Sequence, residues 1–249
     1  MRYRLAFFSV SIVLVVAVTS SFASRSALGV VVESCKLSAA LTGSPFPCLK
    51  IVRKPQALEA YAILREPTHR ERTILTPLAE IDGIEDPRLL APGGPNYFAY
   101  AWDERSVVMN GAPGKDSWQD AALAINAAWN RTQDHLHIHI GCVSGAMRSV
   151  LQTQLADMSE LKFQKISTRL HWRHFWVKLV KADSLSQINP FRLVAAEVPG
   201  AGQDMENVSI GVVGAVLKTG ERGFYILAEV YPTDESYGAA EELLDARCR

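Results

Sequence analysis

This sequence carries no surplus of charge of either sign: Lys and Arg together number 26, and so do Asp and Glu. A nucleic-acid-binding chain ordinarily shows a basic excess or a basic patch, so no nucleic-acid partner is expected. Internal repeats are missing, and so are the Pro-rich or low-complexity stretches that would separate modules. Their absence argues for one compact α+β unit over residues 26–249 rather than two independent domains. Cysteines are few, four in 249 residues, and the further ligands that a metal at the histidines would need (Cys142, His69, His171, His174) stand in no standard metal spacing. What is present is ordinary for a globular core: 48% hydrophobic and 21% charged residues,.

The N-terminus reads as something other than the fold. Arg2 and Arg4 precede an uncharged run over residues 5–24. Its most apolar part, residues 5–18, has signal-peptide length, and Ser21-Phe22-Ala23 offers a small-residue cleavage site. The whole run, about 20 residues, is also long enough to span a bilayer as a helix, and the basic start favours an N-in orientation. Signal peptide and uncleaved anchor over residues 1–25 both stay open; a buried core helix is disfavoured because the run has no polar face. Either way the rest of the chain is exported to an oxidising compartment, where Cys35, Cys48, Cys142 and Cys248 suggest two disulfides. Three pairings are possible. Cys35 and Cys48 bracket the Gly/Ser/Pro-containing segment 41–47, which favours closure of that loop and leaves Cys142 with Cys248. Four buried thiols, or a zinc site using Cys142 beside His139, are the alternatives.

Periodicity predicts a short helix over 26–35 and strands over 48–53, 57–65 and 73–78. Loop residues follow at 81–83, 86–87 and 91–95. A helix is predicted over 96–109, a strand over 121–127, a polar turn over 129–134, a helix over 146–158 and an apolar run over 173–180. A helix over 183–197 would take Asp183 or Ser184 as N-cap. Segments 209–217 and 223–230 form a predicted hairpin, and 235–247 a terminal helix. Trp172, Phe175 and Trp176 with Arg169, Arg173 and Lys178 either face anionic lipid headgroups or pack as an ordinary strand.

The chemistry concentrates at residues 135–142, His-Leu-His-Ile-His-Ile-Gly-Cys. Period two makes this a half-buried strand with His135, His137 and His139 on one face. Three adjacent imidazoles are hard to explain as packing, because each needs a hydrogen-bond partner when buried. A metal site is one reading. Alternate residues on a strand lie about 6.6 Å apart, and the outer pair about 13 Å, so three rings from one straight strand cannot comfortably meet an ion whose bonds are about 2.1 Å. The other reading is nucleophilic catalysis at phosphorus, in which a neutral imidazole forms a phosphoramidate that water then cleaves. Flanking imidazoles would hold down the pKa of the central ring. Asn130, Arg131, Thr132 and Gln133, just upstream, are donors suited to phosphate oxygens.

The segment His135-Leu136-His137-Ile138-His139-Ile140-Gly141 resembles the motif of the histidine triad superfamily of nucleotide hydrolases and transferases. More narrowly, Ala124-Ile125-Asn126 and Asn130-Arg131-Thr132-Gln133-Asp134, running into the triad, look like the bacterial CDP-diacylglycerol pyrophosphatase family. So do Glu33-Ser34-Cys35 with Cys48, Leu75-Thr76-Pro77, Asn189-Pro190-Phe191, Glu197-Val198-Pro199, the final cysteine and the apolar N-terminus. The resemblance implies a histidine-triad-like antiparallel sheet with packed helices. It implies His137 as nucleophile, His135 as the residue that orients the rings, and His139 in contact with phosphoryl oxygens. Asn126 and Gln133, with Thr132 and Arg131, would bind substrate, although Asn126 and Gln133 stand at offsets different from common triad proteins. The histidine that many triad proteins carry after an earlier proline is missing here: Pro77 is followed by Leu78, Ala79 and Glu80.

The implied reaction is hydrolysis of CDP-diacylglycerol to CMP and phosphatidate through a cytidylyl-histidine, with no cofactor and no metal. The partners implied are that lipid and a bacterial inner membrane, with the catalytic domain on the periplasmic side. The oligomeric state is left open. Rival expectations are a triad hydrolase of soluble dinucleotides and an exported metal-binding module.

Overall fold

The computed structural model describes residues 25–66, 69–110, 118–153, 162–166, 174–231 and 240–248. The expected signal or anchor segment therefore lies outside the described residues, as do Arg169, His171, Trp172 and Arg173. Among the described residues no helix is long and apolar enough to cross a membrane.

The chain starts with helix α1 (Ala27–Thr42), which outruns the helix expected over 26–35 and stops where Gly43 turns left-handed, φ 74°,. Strands β1 (Lys50–Val52), β2 (Tyr61–Arg65) and β3 (Thr73–Pro77) follow as a meander. The helix expected over 96–109 divides into α2 (Tyr97–Asp103) and α3 (Ser106–Met109). Next come β4 (Ala121–Ile125), β5 (Ile138–Val143), α4 (Gly145–Thr153), β6 (Gln164–Lys165) and β7 (Trp176–Lys181). The helix expected from Asp183 or Ser184 starts later, as α5 (Pro190–Glu197) with Asn189 as its cap. A residue before proline avoids the helical region, while proline suits the first helical turn, so Asn189-Pro190 sets the start. Ser184 instead caps a single 3₁₀ turn, Leu185–Gln187.

The hairpin β8 (Val208–Val216) and β9 (Arg222–Val230) forms as expected, with Gly220 at φ 83° in its turn. The C-terminal helix expected over 235–247 is replaced, in its described part, by the 3₁₀ turn Ala240–Leu243 and a short strand, β10 (Leu244–Asp245). Residues 235–239 lie outside the described residues.

The ten described strands make one antiparallel sheet in the order β1-β2-β3-β5-β4-β8-β9-β7-β6, with β10 added on β5. One face carries the main core. There Leu75, Leu123, Ile138, Ile140, Val212 and Ile226 pack against α2 and α5, and Phe98 meets Phe191 at 4.9 Å between ring centres. On the opposite face Leu28, Val32 and Cys35 of α1 cover Ala62, Leu64 and Ile74, while Met147 and Val150 of α4 pack with Phe175, Val177, Val213 and Leu227. Phe175 is thus core, and Lys178 pairs with Glu197 at 2.7 Å. The described part of the aromatic and basic cluster lies on strand β7 or just before it, with Phe175 in the core and Trp176 and Lys178 partly buried.

Both expected disulfides are formed, Cys35–Cys48 and Cys142–Cys248. The first closes the loop between α1 and β1. The second fastens the C-terminal segment to β5.

Candidate active site

The strand begins later than the alternation of residues 135–142 implied. His139 lies in β5, whereas His135 and His137 precede it in an extended lead-in. That lead-in is pinned by non-ladder contacts: Leu136 donates its N–H to Ile81 O at 2.7 Å, and the Thr76 hydroxyl donates to Leu136 O at 2.8 Å. The alternation is kept all the same. Leu136, Ile138 and Ile140 enter the main core, and the histidines turn to the opposite face. The three imidazoles are buried.

Each ring has a distinct environment. His135 Nε2 lies 3.0 Å from Pro77 O. A carbonyl oxygen only accepts, so Nε2 carries the proton, and burial moves the pKa of this ring down,. Gly29 of α1 lies directly over it; a Cβ there would be 3.6 Å from Nδ1. His137 Nδ1 lies 2.8 Å from His135 O and must donate to it. Its Nε2 therefore keeps a lone pair in the neutral ring. Burial, and then the neighbouring His139, hold the His137 pKa at about 3,. The His137 and His139 rings meet edge to face, with centroids 5.1 Å apart.

His139 occupies a cross-strand row read from the ladder as Ile74, His139, Ala124, Gly211, Leu227 and Val177. Facing residues in such a row share one side of the sheet. The small Ala124 and Gly211 leave room for the C-terminal segment to lie across the sheet. A Cβ on Gly211 would stand 3.1 Å from Leu243 Cδ1, and one on Gly141 would stand 3.0 Å from Leu244 Cδ2. This segment brings Glu241, which no sequence pattern marked, to the histidines. Glu241 Oε2 lies 2.8 Å from His139 Nε2, and its Oε1 lies 2.6 Å from Arg72. The Asn126 amide donates to Glu241 Oε2 at 3.0 Å, and Asn126 Oδ1 accepts the Glu241 N–H at 3.3 Å. Burial alone would raise the Glu241 pKa, but His139, Arg72 and Asn126 outweigh it and hold the carboxyl at about 2. Neither ring nitrogen of His139 has an aligned hydrogen-bond partner among the described residues, so Glu241 Oε2 is a close neighbour of Nε2 and not a directed acceptor. The usable sequence signal was indirect: a Cys142–Cys248 bond places the residues before Cys248 beside the end of β5.

Two spaces adjoin the rings. A cavity of about 300 Å³ is lined by Arg72, Thr73, His139, Glu241 and Arg247 among others. A second, much tighter recess, without room for a water-sized sphere, is lined by Gly83, Ile125, Asn126, Arg131, Leu136 and His137. Asn126 and Arg131 thus border the recess at His137. Arg131 is committed to two carboxylates, Glu85 at 2.7 Å and Asp134 at 3.0 Å. Gln133 Oε1 accepts the Leu28 N–H at 2.8 Å, and its amide donates to Thr132 O at 3.0 Å, so its side chain fastens the first turn of α1. Thr132 is exposed.

Cys142 is in a disulfide and is no thiolate ligand. Among the described residues no group of three His, Cys, Asp or Glu could hold a metal ion. His69 is half-exposed and 3.8 Å from Glu71.

A model of the CDP-diacylglycerol pyrophosphatase family matches residues 23–249. The CDP-diacylglycerol pyrophosphatase of Yersinia pestis is 34% identical over 208 residues, which cover 82% of this chain and 76% of that protein. With three histidines gathered on one face of an antiparallel sheet and a family match over residues 23–249, this chain belongs to the CDP-diacylglycerol pyrophosphatase family.

Proposed function

We propose that this protein hydrolyses CDP-diacylglycerol to CMP and phosphatidate, with His137 as nucleophile, on a histidine-triad-like fold. The observation that carries the mechanism is the tautomer of His137. Its Nδ1–H is fixed by His135 O at 2.8 Å, and burial keeps the ring neutral, so the Nε2 lone pair is available at physiological pH,. His137 Nε2 attacks the cytidine-side phosphorus, the bond to phosphatidate breaks, and phosphatidate leaves with the electron pair. Water then cleaves the cytidylyl-histidine and releases CMP. His135, held by Pro77 O, keeps the lead-in and the His137 ring oriented. His139 stands beside the phosphoryl group, with its ring centroid 5.1 Å from that of His137. Asn126 and Arg131 border the recess at His137 and act on the substrate's phosphate or ribose. Gln133 and Thr132 support this wall of the site through the loop that seats α1.

The catalytic domain comprises residues 26–249 and works at a membrane surface, reached through residues 1–25 as signal peptide or anchor. Support for that setting comes from the uncharged run 5–24 directly upstream of α1 and from Val30, Leu37 and Leu41, which are exposed on α1. At helical spacing these three residues form one outward stripe, on the helix that covers His135.

The test is acid-quench trapping with CDP-diacylglycerol labelled on the cytidine-side phosphate. Acid-labile label on the wild-type protein, and none on His137→Ala, is the expected result. Turnover without bound label points instead to direct attack by water. A soluble dinucleoside polyphosphate cleaved faster than the lipid would overturn the substrate assignment.

A further inference from the structure

The proposed mechanism leaves one step unassisted, because the water that cleaves the cytidylyl-histidine must lose a proton. His137 cannot accept it while its Nε2 is bonded to phosphorus. His135 is turned away, with its Nε2 proton on Pro77 O. His139 is the ring whose centroid lies 5.1 Å from that of His137, and it borders the 300 Å³ cavity.

We propose that Glu241 is the positioning residue that makes His139 the general base of this water step. The inference rests on the covalent mechanism proposed above and adds a division of labour to it. The carboxylate stands at the Nε2 side of His139, 2.8 Å away. It favours the tautomer with the proton on Nε2, which frees the Nδ1 lone pair for the water, and it stabilises the imidazolium formed when that proton arrives. Neither ring nitrogen has an aligned hydrogen-bond partner among the described residues, and Nε2 is the one with the carboxylate beside it, which leaves Nδ1 for the water. In the step itself the water oxygen bonds to phosphorus and the phosphorus–Nε2 bond of His137 breaks. The freed electron pair returns to His137, and the water proton passes to His139 Nδ1, from which it is lost to solvent. One water is consumed, CMP leaves, and both rings are restored.

Glu241 is built in rather than draped over the site. Its Oε1 is held by Arg72, its Oε2 by Asn126, and its backbone N–H by Asn126 Oδ1. Glu66 lies behind Arg72 at 3.6 Å, so the guanidinium balances two carboxylates. The segment as a whole is tied down by Cys142–Cys248.

A role confined to the second step has a kinetic consequence that loose packing does not produce. Glu241→Gln should lower kcat and KM together, by about a hundredfold, a typical general-base contribution. It should leave kcat/KM, which reports release of phosphatidate, nearly unchanged. The cytidylyl label trapped at steady state should rise in the same variant. Glu241→Asp, which keeps the charge, should recover part of kcat. In combination with His139→Asn, Glu241→Gln should add no further loss, because the two residues act as one unit. A fall in kcat/KM at constant kcat, or no rise in trapped label, overturns the inference. If wild type turns over with no trapped label, the covalent mechanism itself is wrong and the inference falls with it. If Glu241→Gln does not fold, Glu241→Asp carries the same test, since drawing the carboxylate back by one methylene weakens its hold on His139.

Discussion

Keeping His137 neutral inside the protein must make the fold sensitive to acid, and the size of the effect can be worked out. In the unfolded chain the ring titrates at its ordinary 6.5, and in the folded chain at about 3. Below pH 6.5 the unfolded state therefore binds a proton that the native state refuses. Stability that is complete above that value is lost as pH falls toward 3. At pH 5 the loss from this one ring is about 2 kcal/mol, against about 0.2 kcal/mol at pH 7. His135 shifts in the same direction through burial and adds to the trend. Glu241 contributes in a lower window: with its carboxyl at about 2 instead of 4.5, its stabilisation is still nearly whole at pH 5. The assay is urea denaturation at pH 7 and pH 5 of wild type and of His137→Asn, which can still donate to His135 O. Wild type should lose about 2 kcal/mol more than the variant over this interval. Equal losses in the two proteins would show that His137 takes up its proton without difficulty in the folded state and would remove the basis for a neutral nucleophile.

Other outcomes follow from the same contacts. Cys248→Ser should destabilise the protein by about 2–5 kcal/mol in thermal or denaturant unfolding, as removal of a native disulfide commonly does. It should also lower kcat, because the segment carrying Glu241 loses its tie to β5. Gly211→Val places side-chain atoms where Leu243 now packs, with its Cβ only 3.1 Å from Leu243 Cδ1. Overpacking of this kind costs about 1–3 kcal/mol, and a calorimetric scan alongside turnover should show both stability and activity reduced. Leu37→Asp with Leu41→Asp changes exposed positions. The pair should leave the melting temperature almost unchanged and weaken co-sedimentation of the protein with phospholipid vesicles; undiminished binding would exclude the α1 stripe as a membrane contact.

The sequence alone determined a good deal of this protein. Alternation at 135–142 put three imidazoles opposite Leu136, Ile138 and Ile140, because side chains of an extended chain alternate whatever strand lies beside it. His137, His139 and Asn126, legible in that pattern and in the resemblance, border the spaces at the candidate site. Asn189-Pro190 carries enough information to start α5: the residue before a proline avoids the helical region, which overrides the cap offered by Ser184,. The two disulfides were legible from spacing and compartment. The roles of the rings were not, because they depend on partners distant in the chain: Pro77 O for His135, and Glu241, Arg72 and Asn126 around His139. A terminal helix is expected over residues 235–247, yet the described part is a 3₁₀ turn and a strand. Pairing with β5, the fit over Gly141 and Gly211, and the bond to Cys142 outweigh local propensity there,. Local pattern thus fixed which face the histidines share. Only the tertiary structure, by laying the C-terminal segment across the sheet, decided that His139 has a carboxylate beside it while His137 is closed in with its Nδ1 on a carbonyl oxygen.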